Sequence, residues 1–319
     1  MKTLLLLLFI VVLVTALRKV LANRVWPAPE GEEIRGTLLR LGENLVCVPD
    51  RSHLPEEAVN RTTLVCFPGF LEDMRYFLDV HRDTPARLIL INNANYHNPF
   101  RGLTETSPAW FSGNPHPVGT IAHDAYCVNQ VIEQMTGPER VVLHGHSRGG
   151  AVVLEAGNQR PELTHNVEAI LEAPVVPRGR LYNNGEKKLQ PVGFYLFPFI
   201  LSILRIVPET TRLKSPLMRL ATPVKRQIVA AIPFTPRQYA TAGINSANII
   251  DWQARSSYQS YEHFSRLTLF VGERDCVLSR TAMLASAAQS VAVTIIETSG
   301  TDHFISVERP ELIRAYFFS

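Results

Sequence analysis

The sequence predicts an α/β fold whose sheet is mostly parallel and is covered by helices on both faces. Short, uninterrupted apolar runs recur along the chain, and helical patterns lie between several of them. Strands that are buried on both faces have this continuous apolar pattern, whereas strands with one wet face alternate. The chain of 319 residues is 46% hydrophobic and 19% charged, which supplies a large core. This composition excludes a disordered chain, a collagen and a coiled-coil rod.

Each element is assigned from its local pattern. A hairpin is expected over residues 34–48, because two short alternating runs flank Gly42-Glu43-Asn44. Apolar β-rich runs predict strands over residues 63–67, 88–91, 141–144, 168–171, 267–271 and 291–296. Apolar residues at helical spacing predict helices over residues 123–135, 149–158 and 280–289.

Residues 3–17 form an uncharged apolar run near the N-terminus, and three cations follow it: Arg18, Lys19 and Arg24. A membrane span needs about 20 apolar residues, whereas the apolar region of a signal peptide has about 7–15. An uncleaved anchor fits if the helix extends through Ala22 and the cations reach the membrane surface. The alternative is a signal peptide cleaved after Ala22, which would leave a secreted or periplasmic protein. The cations favour the anchor, and the side of the membrane stays open.

The chain divides into three parts. Residues 1–24 form the N-terminal segment, residues 25–175 and 251–319 form the body, and residues 176–250 form an inserted cap. The cap has eight prolines, and its 11 Lys plus Arg against two Glu give it a net charge of +9. Its stretch 189–204 is uncharged and apolar. This combination suits the surface of an anionic membrane or an apolar anionic ligand, or else a cap whose cations are simply solvated.

The segment Gly145-His146-Ser147-Arg148-Gly149 is the motif G-x-S-x-G, and it follows a predicted strand directly and precedes a predicted helix. A nucleophilic serine at this position sits on a strained strand-to-helix turn, where glycines allow close approach of the neighbouring backbone. The helix N-terminus behind it favours developing negative charge. Ser147 is therefore the expected nucleophile; an ordinary glycine turn is the alternative.

A serine hydroxyl needs a base, and the base needs an orienting acid. Asp275 lies just after the predicted strand 267–271, and His303 lies just after the predicted strand 291–296. Both residues follow Ser147 in the chain, and the interval between Ser147 and Asp275 is long enough to hold the whole cap.

The chain resembles the α/β-hydrolase superfamily in these three motifs, over about residues 35–175 and 251–319. The resemblance implies an α/β-hydrolase fold with an inserted cap, in which Ser147 attacks, His303 carries the proton and Asp275 holds the imidazole. Asp251 and Glu172 are alternatives for the acid, but neither follows the penultimate strand. Asp302 stands where the family frequently has glycine, and it is a competitor for the imidazole.

In the resembled family, a His-Gly-x segment after an early strand donates a backbone N–H to the oxyanion. Here the strand 63–67 leads into Pro68-Gly69-Phe70-Leu71, so that a proline replaces the histidine. The expected oxyanion donors are the N–H groups of Phe70 and Arg148. A plain Pro-Gly turn is the alternative.

The long loop over residues 93–119 would lie at the carboxyl edge of the sheet. Its aromatics Trp110 and Phe111 either line the substrate pocket or fasten the loop to the body, and Leu71 and His146 are further candidates for the pocket. His144 and His146 are expected to be structural or to line the pocket, since the sequence places no third metal ligand near them. The pair His123-Asp124 is interpreted as a helix cap.

These features predict a serine hydrolase that cleaves carboxylic esters of hydrophobic, lipid-like substrates through an acyl-Ser147 intermediate. A thioesterase or an acyltransferase with the same triad is the near alternative, and a non-catalytic binding protein of the same fold is the distant one. No cofactor or metal is expected. The expected partners are a small-molecule or lipid ester and a membrane surface, while a net charge of only +3 argues against nucleic acid. The sequence leaves the oligomeric state open.

Overall fold

The computed structural model describes residues 2–24, 31–59, 61–182 and 235–318, with isolated positions between 196 and 211. More than half of the predicted cap, including most of its apolar stretch, lies outside the described residues.

The described chain contains strands and helices in alternation. The strands are β1 (Glu32–Glu33), β2 (Gly36–Leu41), β3 (Asn44–Pro49), β4 (Thr62–Phe67), β5 (Arg87–Ile91), β6 (Phe100–Arg101), β7 (Glu105–Thr106), β8 (Arg140–His146), β9 (Glu168–Glu172), β10 (Arg266–Gly272) and β11 (Val293–Thr298). The helices are α1 (Lys2–Ala22), α2 (Glu56–Val59), α3 (Arg75–Val80), α4 (Ile121–Met135), α5 (Arg148–Gln159), α6 (Pro161–Thr164), α7 (Pro236–Arg255), α8 (Arg280–Ala287), α9 (Ile305–Glu308) and α10 (Pro310–Phe318). A 3-10 helix spans Tyr258–His263.

The main sheet has nine strands in the order β11-β10-β9-β8-β4-β5-β3-β2-β7. Strand β3 runs antiparallel to both of its neighbours, and the other strand pairs are parallel. The predicted mostly parallel sheet is therefore confirmed, and the predicted hairpin is β2–β3. Strands β1 and β6 form a separate two-stranded sheet.

Apolar side chains cover both faces of the main sheet. In β4, Val65 and Phe67 join the core layer that contains α4, α5 and α7, while Leu64 and Cys66 join the layer that contains α3, α9 and α10. Successive residues of a strand point to opposite faces, so a strand with both faces covered is apolar throughout. This is why the continuous apolar runs of β4, β5, β8, β9 and β10 were recognisable as strands, whereas β11, the outermost strand, is mostly exposed.

Several element boundaries differ by a few residues from the sequence prediction. Helix α4 begins at Ile121 because Thr120 caps it, accepting a hydrogen bond from the His123 amide at 3.1 Å. The predicted capping role of His123-Asp124 is therefore wrong. Strand β11 begins at Val293, two residues after the predicted start. Helix α7 starts with a capping box between Thr235 and Gln238 and continues past residue 250, the predicted end of the cap.

Helix α1 contains a stretch, Thr3–Ala22, that is long and apolar enough to cross a membrane. Its mean hydropathy is 2.6, and none of it is buried against the rest of the protein. A helix of 20 residues is about 30 Å long, which matches the apolar thickness of a bilayer. Both an anchor and a signal peptide agree with this helix.

The topology brings several loops together at the end of the sheet where the carboxyl ends of its parallel strands lie. The parallel strands β4, β8, β9, β10 and β11 all end there. Strand β4 lies between β5 and β8 in the sheet. The connection from β4 to β5 and the later connection to β8 therefore lie on opposite sides of β4. Ligand sites in open α/β sheets lie outside such carboxyl ends.

Candidate active site

Ser147 occupies a sharp turn between β8 and α5. Its backbone has φ 51° and ψ −114°, which is a strained conformation for a residue with a side chain. Its amide donates to the carbonyl oxygen of Glu172 at 2.9 Å, and its own carbonyl oxygen accepts from Val175 at 2.8 Å. The turn is thus held from the neighbouring strand, and the Ser147 side chain is 7% exposed at the sheet edge.

The two motif glycines are required by close backbone contacts. A methyl group on Gly145 would lie 2.5 Å from the carbonyl oxygen of Gly149, and one on Gly149 would lie 2.0 Å from the carbonyl oxygen of Phe67. Any larger residue would push the strand, the turn and the loop after β4 apart. The nucleophile turn and the Pro68-Gly69-Phe70 loop are therefore in direct contact.

Asp275 and His303 form a buried pair on the loops after β10 and β11. The Nδ1 atom of His303 lies 2.8 Å from Oδ2 of Asp275. The other carboxylate oxygen accepts from the amides of Val277 and Leu278, at 2.8 and 2.9 Å. Burial raises the pKa of Asp275, but His303 and these amides outweigh it, so the pKa is lowered and the carboxylate is ionised. An ionised partner at Nδ1 keeps the proton there and leaves Nε2 free to accept one.

The described residues show no hydrogen bond between the Ser147 hydroxyl and His303. The two loops are joined instead by His146, whose Nε2 donates to the His303 carbonyl oxygen at 2.9 Å. Catalytic hydrogen bonds are often long in free enzymes and shorten when substrate binds.

Phe70 and Leu71 follow Gly69 in the loop after β4, and both are half-buried. Leu71 has φ 60°, and its amide donates to the Tyr96 hydroxyl at 3.3 Å. That hydroxyl donates in turn to Asn245 of α7 at 3.3 Å, so a polar chain connects this loop to α7. The contact between Tyr96 and Asn245 was not predicted from the sequence, because no motif marks a contact between residues that are 149 positions apart.

The Arg148 side chain points into the body of the protein and is fully buried. Its Nη1 donates to Asp124 Oδ2 at 2.7 Å and to Asn93 Oδ1 at 2.6 Å. Asp124 also accepts from Asn44 at 2.7 Å. The guanidinium group of Arg148 is therefore bound inside the protein. The backbone amide of Arg148 is the group that the sequence predicts as an oxyanion donor. Asp124 is a positioning residue that the capping interpretation missed.

His146 is fully buried, which differs from the expectation that it lines the pocket. Its Nδ1 donates to Glu72 Oε2 at 2.8 Å, and its ring stacks on Tyr76 with centroids 4.5 Å apart. The same Glu72 oxygen accepts from the Gly69 amide at 2.7 Å. His146 therefore lies beneath the site, between the loops that carry Phe70 and His303. Glu72 was missed by the sequence analysis because nothing in its local pattern indicates a histidine partner.

Trp110 and Phe111 are half-buried and pack against the core, with ring centroids 6.5 Å apart. The Phe111 ring covers the β2–β3 turn, where a methyl group on Gly42 would lie 3.4 Å from it. These contacts support the alternative that the aromatics fasten the loop to the body. The loop also contains the short strands β6 and β7.

The two alternative acids have other partners. Glu172 accepts from Tyr76 at 2.7 Å and from the Ser306 amide and hydroxyl at 2.6 and 2.8 Å, so it holds the helix just after the base. Asp251 lies exposed on α7 and pairs with Arg255. Asp302 is buried beside the base, and its Oδ1 accepts from the Phe304 amide at 2.9 Å.

His144 approaches two possible metal ligands, Cys66 and His81, and the potential ligand atoms lie within 4.8 Å of one another. Each ring nitrogen already has a hydrogen-bond partner. His81 contacts Thr84 and His144 at 3.1 and 2.9 Å, and His144 contacts Glu172 at 3.2 Å. Burial lowers the pKa of both histidines, so they are neutral members of a closed hydrogen-bonded chain. This arrangement does not need a metal to satisfy it.

Glu172 gives a prediction for stability. Burial raises its pKa, but hydrogen bonding from His144, the charge of His146 and the Ser306 amide lower it to about 2, below the ordinary 4.5. The folded-state pKa is depressed, so this carboxylate stabilises the fold above pH 4.5, and the contribution is lost as the pH falls towards 2. We expect Glu172→Gln to reduce the free energy of unfolding at pH 7 and to make its decline below pH 4.5 shallower.

Urea unfolding in a mild detergent measures this effect between pH 7 and 2.5. Glu57→Gln, which changes an exposed carboxylate on α2, is the control. It should alter neither the free energy of unfolding at pH 7 nor the decline of that free energy below pH 4.5. A Glu172→Gln variant whose stability declines as steeply as that of the wild type would contradict the prediction.

The comparisons with known proteins agree with this architecture. Residues 64–315 match the protein-family model described as "Alpha/beta hydrolase family". A search of the curated proteins found no match. An esterase from Rhodococcus sp. ECU1013 is similar in structure, with 16% identity and a TM-score of 0.60, over 90% of this chain and 98% of that one. An esterase from Exiguobacterium antarcticum has 14% identity and a TM-score of 0.62, over 89% and 100%. The carboxylesterase CesB from Bacillus subtilis has 15% identity and a TM-score of 0.56, over 91% and 92%.

At these identities the solved structures establish a shared fold, and the family match extends over most of the sequence. The strained turn after β8 and the buried acid–histidine pair both lie within the matched residues. The chain therefore belongs to the alpha/beta hydrolase family.

Proposed function

We propose that this protein is a serine hydrolase that cleaves carboxylic esters of hydrophobic, lipid-like substrates through an acyl-Ser147 intermediate. The observation that carries the proposal is the Asp275–His303 pair, which is buried at the same sheet edge as the strained Ser147 turn. A binding protein has no use for an ionised carboxylate that fixes a histidine tautomer beside a serine.

In the proposed mechanism, Nε2 of His303 takes the hydroxyl proton as Ser147 Oγ attacks the ester carbonyl carbon. The amides of Phe70 and Arg148 donate to the oxyanion that forms. As the tetrahedral intermediate collapses, the alkoxide leaves and takes the proton from His303, and the acyl group stays on Ser147. Water then attacks the acyl carbon and gives a proton to His303. The bond between the acyl carbon and Ser147 Oγ breaks, Oγ takes the proton back from His303, and the carboxylic acid is released.

Two features support the Arg148 amide as an oxyanion donor. It is the first residue of α5, so its N–H has no partner within the helix, and the helix dipole adds positive potential there. The buried ion pair with Asp124 also fixes the position of this residue.

The names of the similar structures support an ester substrate, although their low identity restricts them to that supporting role. Three features favour a hydrophobic substrate: the apolar helix α1, the basic cap segment and the apolar stretch within that segment. Thioesterase and acyltransferase chemistry use the same triad and differ in the leaving group and the acceptor. We further propose that α1 associates the protein with a membrane; a signal peptide that is later removed is the alternative.

Labelling by a fluorophosphonate probe tests the activated serine. We expect the wild type to be labelled, and Ser147→Ala and His303→Ala to lose labelling, because the first lacks the attacking oxygen and the second its base. Circular dichroism should show that all three proteins are folded. A folded wild type that stays unlabelled, both alone and with liposomes, would favour the binding-protein alternative. A panel of p-nitrophenyl esters of graded chain length then reports the acyl preference.

Substitution of each of the two aspartates near His303 tests which of them is the orienting acid. Both are buried, but only Asp275 contacts the imidazole with its carboxylate in the hydrogen bonds described. We expect Asp275→Asn to reduce kcat by about 10⁴-fold, as the wrong tautomer does in a related triad, and Asp302→Asn to reduce it far less. The ester assay on both variants measures the difference, and the opposite ranking would refute the assignment of the acid.

Membrane association is tested by sedimentation with anionic liposomes. We expect the full chain to sediment at both low and high salt, because α1 inserts into the apolar layer. A chain that lacks residues 1–24 should sediment only at low salt, through the basic segment 176–250, because salt screens its charge. If the shortened chain stays in solution at low salt, the basic segment does not bind membranes and α1 is left as the membrane contact.

A further inference from the structure

The buried pair of Glu72 and His146 connects the two loops that the proposed mechanism uses. One Glu72 oxygen accepts from the Gly69 amide at 2.7 Å and from His146 Nδ1 at 2.8 Å. The other ring nitrogen, Nε2, donates to the His303 carbonyl oxygen at 2.9 Å. Gly69 directly precedes the predicted oxyanion donor Phe70, and His303 is the predicted base. A single imidazole therefore spans the distance between the oxyanion loop and the base.

The hydrogen bonds determine the charge of this imidazole. A carboxylate oxygen and a carbonyl oxygen are both acceptors, so each ring nitrogen of His146 must carry a proton to satisfy its partner. Only the imidazolium form has two N–H groups. The neutral ring would have one N–H, and it would lose its link either to Glu72 or to His303.

The surrounding groups favour this charged form. The titratable side chains that face the ring are Glu72 from the loop after β4, Tyr76 from α3, His144 from the same strand, Glu172 from β9 and His303 from the loop after β11. Burial lowers the pKa of His146, but the charges of Glu72 and Glu172 raise it to about 9. Tyr76 stays neutral through this range, because burial raises its pKa well above 10.

Packing restricts the motion of the ring. Tyr76 stacks on one side, with an angle of 16° between the ring planes, and its hydroxyl is held by Glu172 at 2.7 Å. The His303 ring lies 4.9 Å away. A shift of the imidazole would therefore be passed to the loop that carries the base.

We propose that the Glu72–His146 ion pair fixes the positions of the oxyanion loop and of the base relative to each other. Loss of the His146 proton breaks this link and lowers turnover at alkaline pH. The inference rests on the proposed function, because the two loops matter in this way only if Phe70 and His303 act in catalysis. Glu72 and His146 are positioning residues, since neither touches the reacting atoms.

The proposal requires a particular behaviour of Glu72→Gln. One Glu72 oxygen accepts from both the Gly69 amide and His146 Nδ1, so a glutamine atom at that position can accept from Gly69 or donate to a neutral His146, but not both. The variant also lacks the charge that raises the pKa of His146, so we expect its ring to be neutral and one hydrogen bond of the link to be missing at every pH. Its neutral link therefore has no proton to lose on the alkaline side.

The experiment measures kcat and kcat/KM for a p-nitrophenyl ester from pH 6 to 10.5, with the uncatalysed rate subtracted and folding checked by circular dichroism. For the wild type we expect kcat to fall about five- to tenfold on the alkaline side, with an apparent pKa near 9 and the loss typical of one hydrogen bond. Glu72→Gln should have a lower kcat at pH 7.5 but less than about a twofold change between pH 8 and 10.5.

Glu43→Gln is the matched control, because Glu43 is also a carboxylate beside a buried histidine, His123, at 3.6 Å, but lies on the β2–β3 turn. It should keep the alkaline decline of the wild type. His146→Gln, which can replace only the Nε2 donor, should lower kcat and also lose the decline. A decline near pH 9 that persists in Glu72→Gln, or that is absent from the wild type, would overturn the proposal.

A second measurement does not depend on activity. In protein with ¹⁵N-labelled histidine, NMR shows whether each ring nitrogen carries a proton, and comparison with His146→Gln assigns the signals of His146. We expect both nitrogens of His146 to be protonated at pH 7.5 and one to lose its proton above about pH 9. A neutral His146 at pH 7.5 overturns the proposal. Failure of the proposed function is distinguishable, because a protein that neither turns over esters nor reacts with fluorophosphonate can still show the charged His146.

Discussion

The close approach of three backbone segments at the carboxyl end of β8 is the constraint on which the rest of the site depends. The turn at Ser147 brings Gly149 against the Phe67 carbonyl oxygen, so closely that no Cβ fits between them. This contact places the first turn of α5 against the loop after β4. One packing interaction thus fixes the positions of the serine, the helix N-terminus and the candidate oxyanion loop. Hydrogen bonds to β9 and to the residues just after it keep the strained backbone of Ser147 in place.

Two buried ion pairs lie next to this contact. Arg148 pairs with Asp124, and His146 pairs with Glu72, with side chains at most 4% exposed. Burying such groups costs desolvation, which is recovered only when each charge has a partner and its remaining hydrogen bonds are made. Apolar side chains would fill the same space at lower cost. The buried charges are therefore better explained by the positions they fix than by the stability they add.

Helix α7, whose first residues belong to the predicted cap, is connected to the candidate site through polar contacts. Asn245 of α7 donates to the Gly119 carbonyl oxygen at 2.6 Å and accepts from Tyr96, whose hydroxyl also contacts the Leu71 amide. Asn95 donates to Thr241 of the same helix at 2.8 Å. Directional bonds of this kind fix the helix relative to the loop after β4.

Sequence patterns were sufficient to predict the sheet, the order of its motifs and the residues that follow its strand ends. These features are local: a buried parallel strand must be apolar along its whole length, and the turn after β8 must have glycine where backbones touch. Ser147, Asp275 and His303 were therefore predicted from their neighbours in the chain, and the structure places Asp275 and His303 in contact. The pairing of polar residues in space could be seen only in the folded protein. Glu72 with His146, Asp124 with Arg148, and Glu172 with Ser306 join elements far apart in the sequence, and a carboxylate carries no local mark of the partner that folding will bring to it.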